Sequence, residues 1–358
     1  AFFLPFMVFV KTYFAAQLAV AVWGIRLLSR RLGWDFGQSI LLLVFFLGNP
    51  WLVQHLAIGY SPQISLCLLP LCLALLAGPD WRPLEGAAAS LVLAVVFYQG
   101  ALHLFVWSCL AIGVYVLVQA ALRRRAAALW RAGTFFLGVL ILIAPKVYAV
   151  SKVYAGWHRI PGYGYQTLAH LWGLLTDDTF FMFQFPQTYS QYNVAFYDGS
   201  ILVGPAFLLL AAWLVAEYGV ALLRHGLPLV RRAAPALAAL VAAAVFLVLG
   251  WSNLWQKLCV LFPALSSEIY PFRFLFVTLN FLFFFIVCRL GRFPAKGPAR
   301  LRAAAVYALA LATCLTFYGR NRMLMPYLTK NPNLIGNFSI AHYYGDRVIA
   351  LSGETRLP

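Results

Sequence analysis

Arg273 stands at the head of an apolar run, in the stretch Ser266-Ser267-Glu268-Ile269-Tyr270-Pro271-Phe272-Arg273-Phe274. A guanidinium at the edge of a membrane segment can grip a phosphate through two parallel hydrogen bonds, and such charge-assisted bonds strengthen where water is scarce. Pro271 sets φ at the entry to the helix and so aims the arginine. The same residue reads equally as an interfacial arginine that snorkels to lipid headgroups or pairs with Glu268. Lys146 and Lys152 close another apolar run and add positive charge suited to an anionic phosphate, though also to any headgroup layer. Arg159 follows them in a polar, aromatic stretch. His55 and His103 mark two short turns, in Gln54-His55-Leu56 and Gln99-Gly100-Ala101-Leu102-His103. With Gln63 and Gln99 as further donors they can line a polar cavity, while a lone histidine is equally at home against a neighbouring carbonyl.

The acids are few enough to place individually. Asp177 and Asp178 can supply a general base or hold a divalent cation through oxygen ligands. They serve as well as helix-cap or turn residues after Thr176. A metal site needs a third ligand, for which Asp198 or Glu268 is available if the fold brings it close, and no metal-ligand motif is present. Glu217 lies inside an apolar segment near Arg224 and His225, where a paired or snorkelling structural role is favoured. The cysteines Cys67, Cys72, Cys109, Cys259, Cys288 and Cys314 lack CxxC spacing and read as small buried thiols.

These residues are carried by an extremely apolar chain. Of 358 residues 63% are hydrophobic and 10% charged, with a mean hydropathy of +0.83. An ordinary soluble domain has about 25% charged residues, so a soluble enzyme and a disordered chain are both excluded. The expected fold is all-α, a polytopic membrane helical bundle. Ten apolar segments are predicted, at 3–29, 39–53, 62–77, 86–98, 103–122, 132–150, 200–223, 233–250, 273–290 and 303–318. The second, third and fourth are too short to cross about 30 Å as straight helices, so broken, tilted or re-entrant forms are expected there.

The net charge of +17 is distributed by side. Most of the 27 basic residues fall in short loops, including Arg30, Arg31, the run Arg123-Arg124-Arg125, Arg231, Arg232, Arg292 and Lys296. The positive-inside rule places these loops in the cytoplasm and the long loops 151–199 and 251–272 outside. A bacterial inner membrane is the expected location, and nucleic acid is not an expected partner. The first long loop is rich in Tyr and Trp and is expected to form short interfacial helices on the outer rim. The domain reading is a transmembrane unit over 1–318 and an outer polar tail over 319–358, with a sequon at Asn337-Phe338-Ser339 and a strand-like pattern from Ile340 to Ile349. The chain opens within an apolar run at Ala1 and is expected to be a fragment of a longer protein.

The stretch from Gln54 through Leu76, with its turn Gly59-Tyr60-Ser61-Pro62-Gln63 and the continuation Leu69-Pro70-Leu71, resembles bacterial polytopic membrane proteins of the C-type glycosyltransferase superfamily. These include the membrane proteins related to 6-pyruvoyl-tetrahydropterin synthase and the YfhO-like proteins. Tyr270-Pro271-Phe272-Arg273-Phe274 is similar to the Phe-Pro-Trp-Arg-Phe type motif that opens a late helix in them, and Gly100-Ala101-Leu102-His103 to their small-residue turn ending in His. The resemblance spans most of residues 1–320, and the arginine motif is its most specific part. It implies an enzyme that transfers a sugar from a polyprenyl-phosphate donor on the outer face, with membrane lipid and the lipid-linked sugar as partners. It also implies a catalytic Asp in a first outer loop that has no counterpart in this chain. Two readings of other classes remain open: a transporter or flippase for a lipid-linked substrate, and a non-catalytic subunit of a membrane assembly.

Overall fold

In a computed structural model, residues 6–57, 61–77, 82–100, 102–123, 126–154, 164–176, 201–232, 234–262, 271–290 and 298–330 are described. They form thirteen α-helices: α1 (Phe6–Leu32), α2 (Phe36–Leu47), α3 (Pro50–Ala57), α4 (Leu69–Leu76), α5 (Pro83–Tyr98), α6 (Leu102–Arg123), α7 (Ala126–Tyr154), α8 (Leu168–Thr176), α9 (Pro205–Arg232), α10 (Ala234–Leu249), α11 (Ser252–Leu261), α12 (Phe274–Leu290) and α13 (Pro298–Lys330). A 3₁₀ helix, Ser61–Leu68, leads into α4, and a 3₁₀ turn, Pro271–Arg273, leads into α12. Five stretches are long and apolar enough to cross a membrane: Lys11–Leu32, Leu102–Leu122, Leu129–Ala149, Pro205–Arg224 and Leu301–Arg322. Five shorter apolar helices accompany them, at Phe36–Leu47, Gln63–Leu76, Pro83–Tyr98, Ala234–Leu249 and Phe274–Leu290. The described residues are all-helical, and the chain is an integral membrane protein.

The centre of the bundle is α12. Nearly every residue from Phe274 to Val287 is buried, so the helix is enclosed on all sides, as a helix apolar around its whole circumference must be. Its most extensive partner is α10, which turns Ala236, Ala239, Ala242 and Ala243 inward. Lipid tails are as apolar as leucine, so the drive for such pairs is close packing, and small residues let helix axes approach. Gly24 acts similarly where α1 crosses α4: a Cβ there would lie 2.4 Å from the backbone nitrogen of Leu71. Around this centre α5 packs on α7, α4 and α6, and α9 on α13.

Of the three short segments, the second is broken and the third changes helix type, whereas the fourth, 86–98, lies within the unbroken helix α5. The predicted segment 39–53 is two helices, parted at Gly48-Asn49. Asn49 caps α3, its side-chain oxygen accepting from the amide of Trp51 at 3.0 Å, and Pro50 occupies the first helical position, where its missing N–H costs nothing. The third segment combines eight 3₁₀ residues with eight α residues. At about 2.0 and 1.5 Å per residue it extends about 28 Å, close to a membrane's hydrocarbon thickness. The stretch read as an outer loop over 251–272 contains α11, whose Trp255 and Cys259, four residues apart, both turn inward. Helix α13 passes the predicted domain boundary at 318 without a break. The sequon and the strand-like stretch 340–349 lie outside the described residues.

The two ends of the bundle differ in chemistry. At one end, Arg31 of α1 pairs with Glu85 of α5 and donates to the carbonyl of Leu75 at 3.1 Å. Asp35 caps α2 in a reciprocal pair with Gln38, whose amide also donates to the Val287 carbonyl of α12 at 2.8 Å. Glu217 of α9 accepts from Arg302 of α13 at 2.6 and 2.9 Å, with Arg289 of α12 close by at 3.9 Å. The expected structural pairing of Glu217 is thus present, but with arginines of two other helices. All three described carboxylates belong to this basic end. The other end gathers aromatic groups, neutral polar groups and the cations Arg273 and Lys146.

Candidate functional site

The aromatic end is organised by the first turn of α12. Phe274 meets Trp255 of α11, Trp107 of α6 and Phe246 of α10, with ring centres 4.9, 5.8 and 5.7 Å away. Two residues on, Phe276 stacks on Trp51 of α3 at 4.0 Å. Tryptophan rings from three helices therefore form a collar around the first turn of α12, and Arg273 ends the 3₁₀ turn that enters that helix. The side chain is half-buried, at the positive end of the α12 dipole.

The collar carries both predicted histidines. His55 is fully buried and lies against Trp51 at 3.9 Å between ring centres. Its Nδ1 sits 2.7 Å from the Trp51 carbonyl. A carbonyl only accepts, so Nδ1 carries the hydrogen of this bond. His103 follows the turn at Gly100 and approaches Trp107 at 6.2 Å. One tryptophan thus stands between each histidine and the first turn of α12. Gln63 lies in the 3₁₀ helix packed against α3, and its side-chain oxygen is buried without a hydrogen-bond partner.

Lys146 and Lys152 are engaged elsewhere. The ammonium of Lys146 donates to the carbonyls of Phe97 and Tyr98, the last residues of α5, and lies over both rings at 5.1 and 5.4 Å. It closes a helix end whose carbonyls have no partner within the helix. Lys152 is exposed and stands over the ring of Tyr148, one turn back on α7, at 4.4 Å. Asp177, Asp178, Arg159 and Glu268 lie outside the described residues.

Three features here were not read from the sequence. The first is the collar itself: Trp51, Trp107 and Trp255 are far apart along the chain and carry no local motif. The second is a strap over residues 164–176. Tyr165 exchanges backbone hydrogen bonds with Gly250 and Ser252 at 3.1 and 2.9 Å, and its hydroxyl donates to the Leu247 carbonyl at 2.6 Å. Gly164 permits this approach, since a Cβ there would stand 2.0 Å from the Gly250 oxygen. Thr167 then caps α8 by accepting from the amide of His170 at 3.1 Å. The strap's other end holds Val203 and Gly204 through the Leu175 carbonyl. Helix α8 is a short helix within the stretch 151–199, where short helices were expected. His170 accepts from the Gln166 amide at 3.3 Å, and burial lowers its pKa below the ordinary histidine value.

The third is an apolar cavity of about 60 Å³ that runs inward from the collar, between α1, α2, α4, α6 and α12. Trp107 and Phe276 belong to both collar and cavity, while Leu28 and Phe284 line its deeper part. A water molecule needs roughly 10–15 Å³ by comparable measure, so the space admits a short apolar segment. Asn280 is one of its few polar residues. Its amide donates to the Phe276 carbonyl at 2.8 Å and its oxygen is buried without a partner. The lining is otherwise hydrocarbon and aromatic, with Ser108 as the other polar side chain. No group of three or more metal-ligating side chains occurs among the described residues. No protein-family model, curated protein or solved structure matches the chain.

Proposed function

We propose that the chain is a membrane glycosyltransferase-like protein that takes a sugar from a polyprenyl-phosphate donor on the extracytoplasmic face. The observation that carries this reading is Arg273 at the head of the enclosed helix α12, whose first turn packs against three tryptophans and whose following turns line an apolar cavity. A lipid-linked sugar phosphate calls for both parts: a phosphate that seeks a guanidinium and a hydrocarbon tail that seeks an apolar cavity. In the reaction a carboxylate takes the proton of the acceptor hydroxyl as its oxygen attacks the anomeric carbon. The bond from that carbon to the phosphate oxygen breaks, and Arg273 takes up the charge that develops on the departing phosphate. None of the three described carboxylates lies at this end, so Asp177, Asp178 and Glu268 are the acids of this chain to vary first.

The test is transfer from a panel of radiolabelled polyprenyl-phosphate sugars in proteoliposomes. Arg273→Ala is expected to abolish transfer while the protein still elutes as folded material, and Arg273→Lys, which lacks the planar fork, to recover only a small fraction. Transfer by Arg273→Ala at the wild-type rate would remove the assignment. A transporter for a lipid-linked substrate is the second reading. It is favoured by the helix break at Gly48-Asn49 and the long 3₁₀ segment beside the cavity, because substrate paths use discontinuous helices. Movement of the intact probe across the liposome membrane, with no covalent change, would select it.

A further inference from the structure

The basic end carries a second cluster, independent of the proposed transfer site. Glu217 has both oxygens bound by Arg302, while Arg289 stays 3.9 Å away and makes no hydrogen bond to it. The Arg289 guanidinium lies over the Tyr218 ring at 5.0 Å. Its Nε is buried without a hydrogen-bond partner, and so is the hydroxyl of Tyr218, a residue only 1% exposed. Two arginines against one carboxylate leave one positive charge, and buried donors of this kind are rarely left unused. The flank beside them is apolar and open: Val220, Leu223 and Leu301 are 46%, 89% and 78% exposed.

We propose that this cluster seats the phosphate of an anionic phospholipid. Arg289 and Arg302 hold the headgroup oxygens, Glu217 fixes the Arg302 fork, and the acyl chains lie along the apolar flank. A free phosphate ion would use the arginines alone; the open apolar surface next to them favours a ligand with both parts. Removing Glu217 would leave the two arginines uncompensated, so the carboxylate tempers the affinity of the seat rather than creating it.

The experiment uses the full chain in neutral detergent, with mixed micelles of phosphatidylglycerol or phosphatidylcholine, and reads both melting temperature and lipid retained in native mass spectra. Phosphatidylglycerol is expected to raise the melting temperature with the logarithm of its concentration above Kd, as a ligand of the folded state does, and phosphatidylcholine to leave it unchanged. Arg289→Gln should weaken retention about tenfold, in line with loss of a charge-assisted pair. Arg26→Gln, an exposed basic residue outside the cluster, should retain the wild-type response, and Glu217→Gln should bind at least as tightly as wild type. Equal stabilisation by both lipids would overturn the proposal. So would undiminished phosphatidylglycerol retention by Arg289→Gln, or a response to inorganic phosphate with none to phosphatidylglycerol. Should Arg289→Gln not fold, Arg289→Lys serves in its place, with reduced retention expected and wild-type retention overturning the seat.

Discussion

The ammonium of Lys146 on α7 lies 3.1 Å from the carbonyl of Phe97, where α5 ends. With its second bond to Tyr98 at 3.3 Å, it ties together two helices that also share one of the larger packing surfaces of the bundle. The charge is engaged by a helix terminus. Lys146→Met is therefore expected to lower stability by about 1 kcal/mol, read from thermal unfolding in detergent, and to leave the KM for a phosphate-bearing substrate within about twofold. A KM rise of tenfold with unchanged melting would return Lys146 to the site.

Trp51 is 1% exposed and stacks on both His55 and Phe276. Trp51→Ala should remove about 3–5 kcal/mol through the cavity it leaves. Trp51→Phe keeps part of the stack and should cost markedly less. Equal melting temperatures for the two variants would show that the stack contributes little.

Gly164→Ala places a methyl group against the Gly250 oxygen and should lift the strap without unfolding the bundle. Hydrogen exchange is expected to accelerate across 164–176 and remain slow in α10 and α12. Slow exchange throughout would mean that the strap has room to shift.

His170 gives α8 a pH dependence with a definite sign. Its folded pKa is lowered by burial, so on acidification the undocked form takes a proton first. The docked strap is fully stable above the ordinary histidine pKa of about 6.5 and loses stability as pH falls from there toward the lowered value. Protection factors in α8, which divide out the slowing of intrinsic amide exchange with acidity, should fall over that window, and His170→Gln should abolish the fall. A fall that survives in the variant assigns the effect to another group.

Much of the bundle was legible from hydropathy, because an apolar stretch of this length has few other destinations. The entry to α12 is an example: Pro271 and the following aromatic run placed it within one residue. The break at Gly48-Asn49 was expected only as a shortened segment, although the Asn-Pro pair is a helix-start signal. Helix α11 was missed because ten amphipathic residues resemble a loop beside full-length spans. The site was legible one residue at a time. Arg273, His55 and His103 stood out by type, but the collar that relates them depends on contacts between distant parts of the chain. The partners of Lys146 and Glu217 were hidden for the same reason: sequence suggests neighbours such as Arg224, whereas packing supplied Arg302, 85 residues away.

The described ion pairs, Arg31 with Glu85 and Glu217 with Arg289 and Arg302, all occupy one end of the bundle. In a sealed vesicle that end faces a single aqueous phase. Raising the salt on that side screens every one of these pairs, while the same salt on the other side reaches none of them. Their share of the protein's stability is thus set by the composition of one compartment alone.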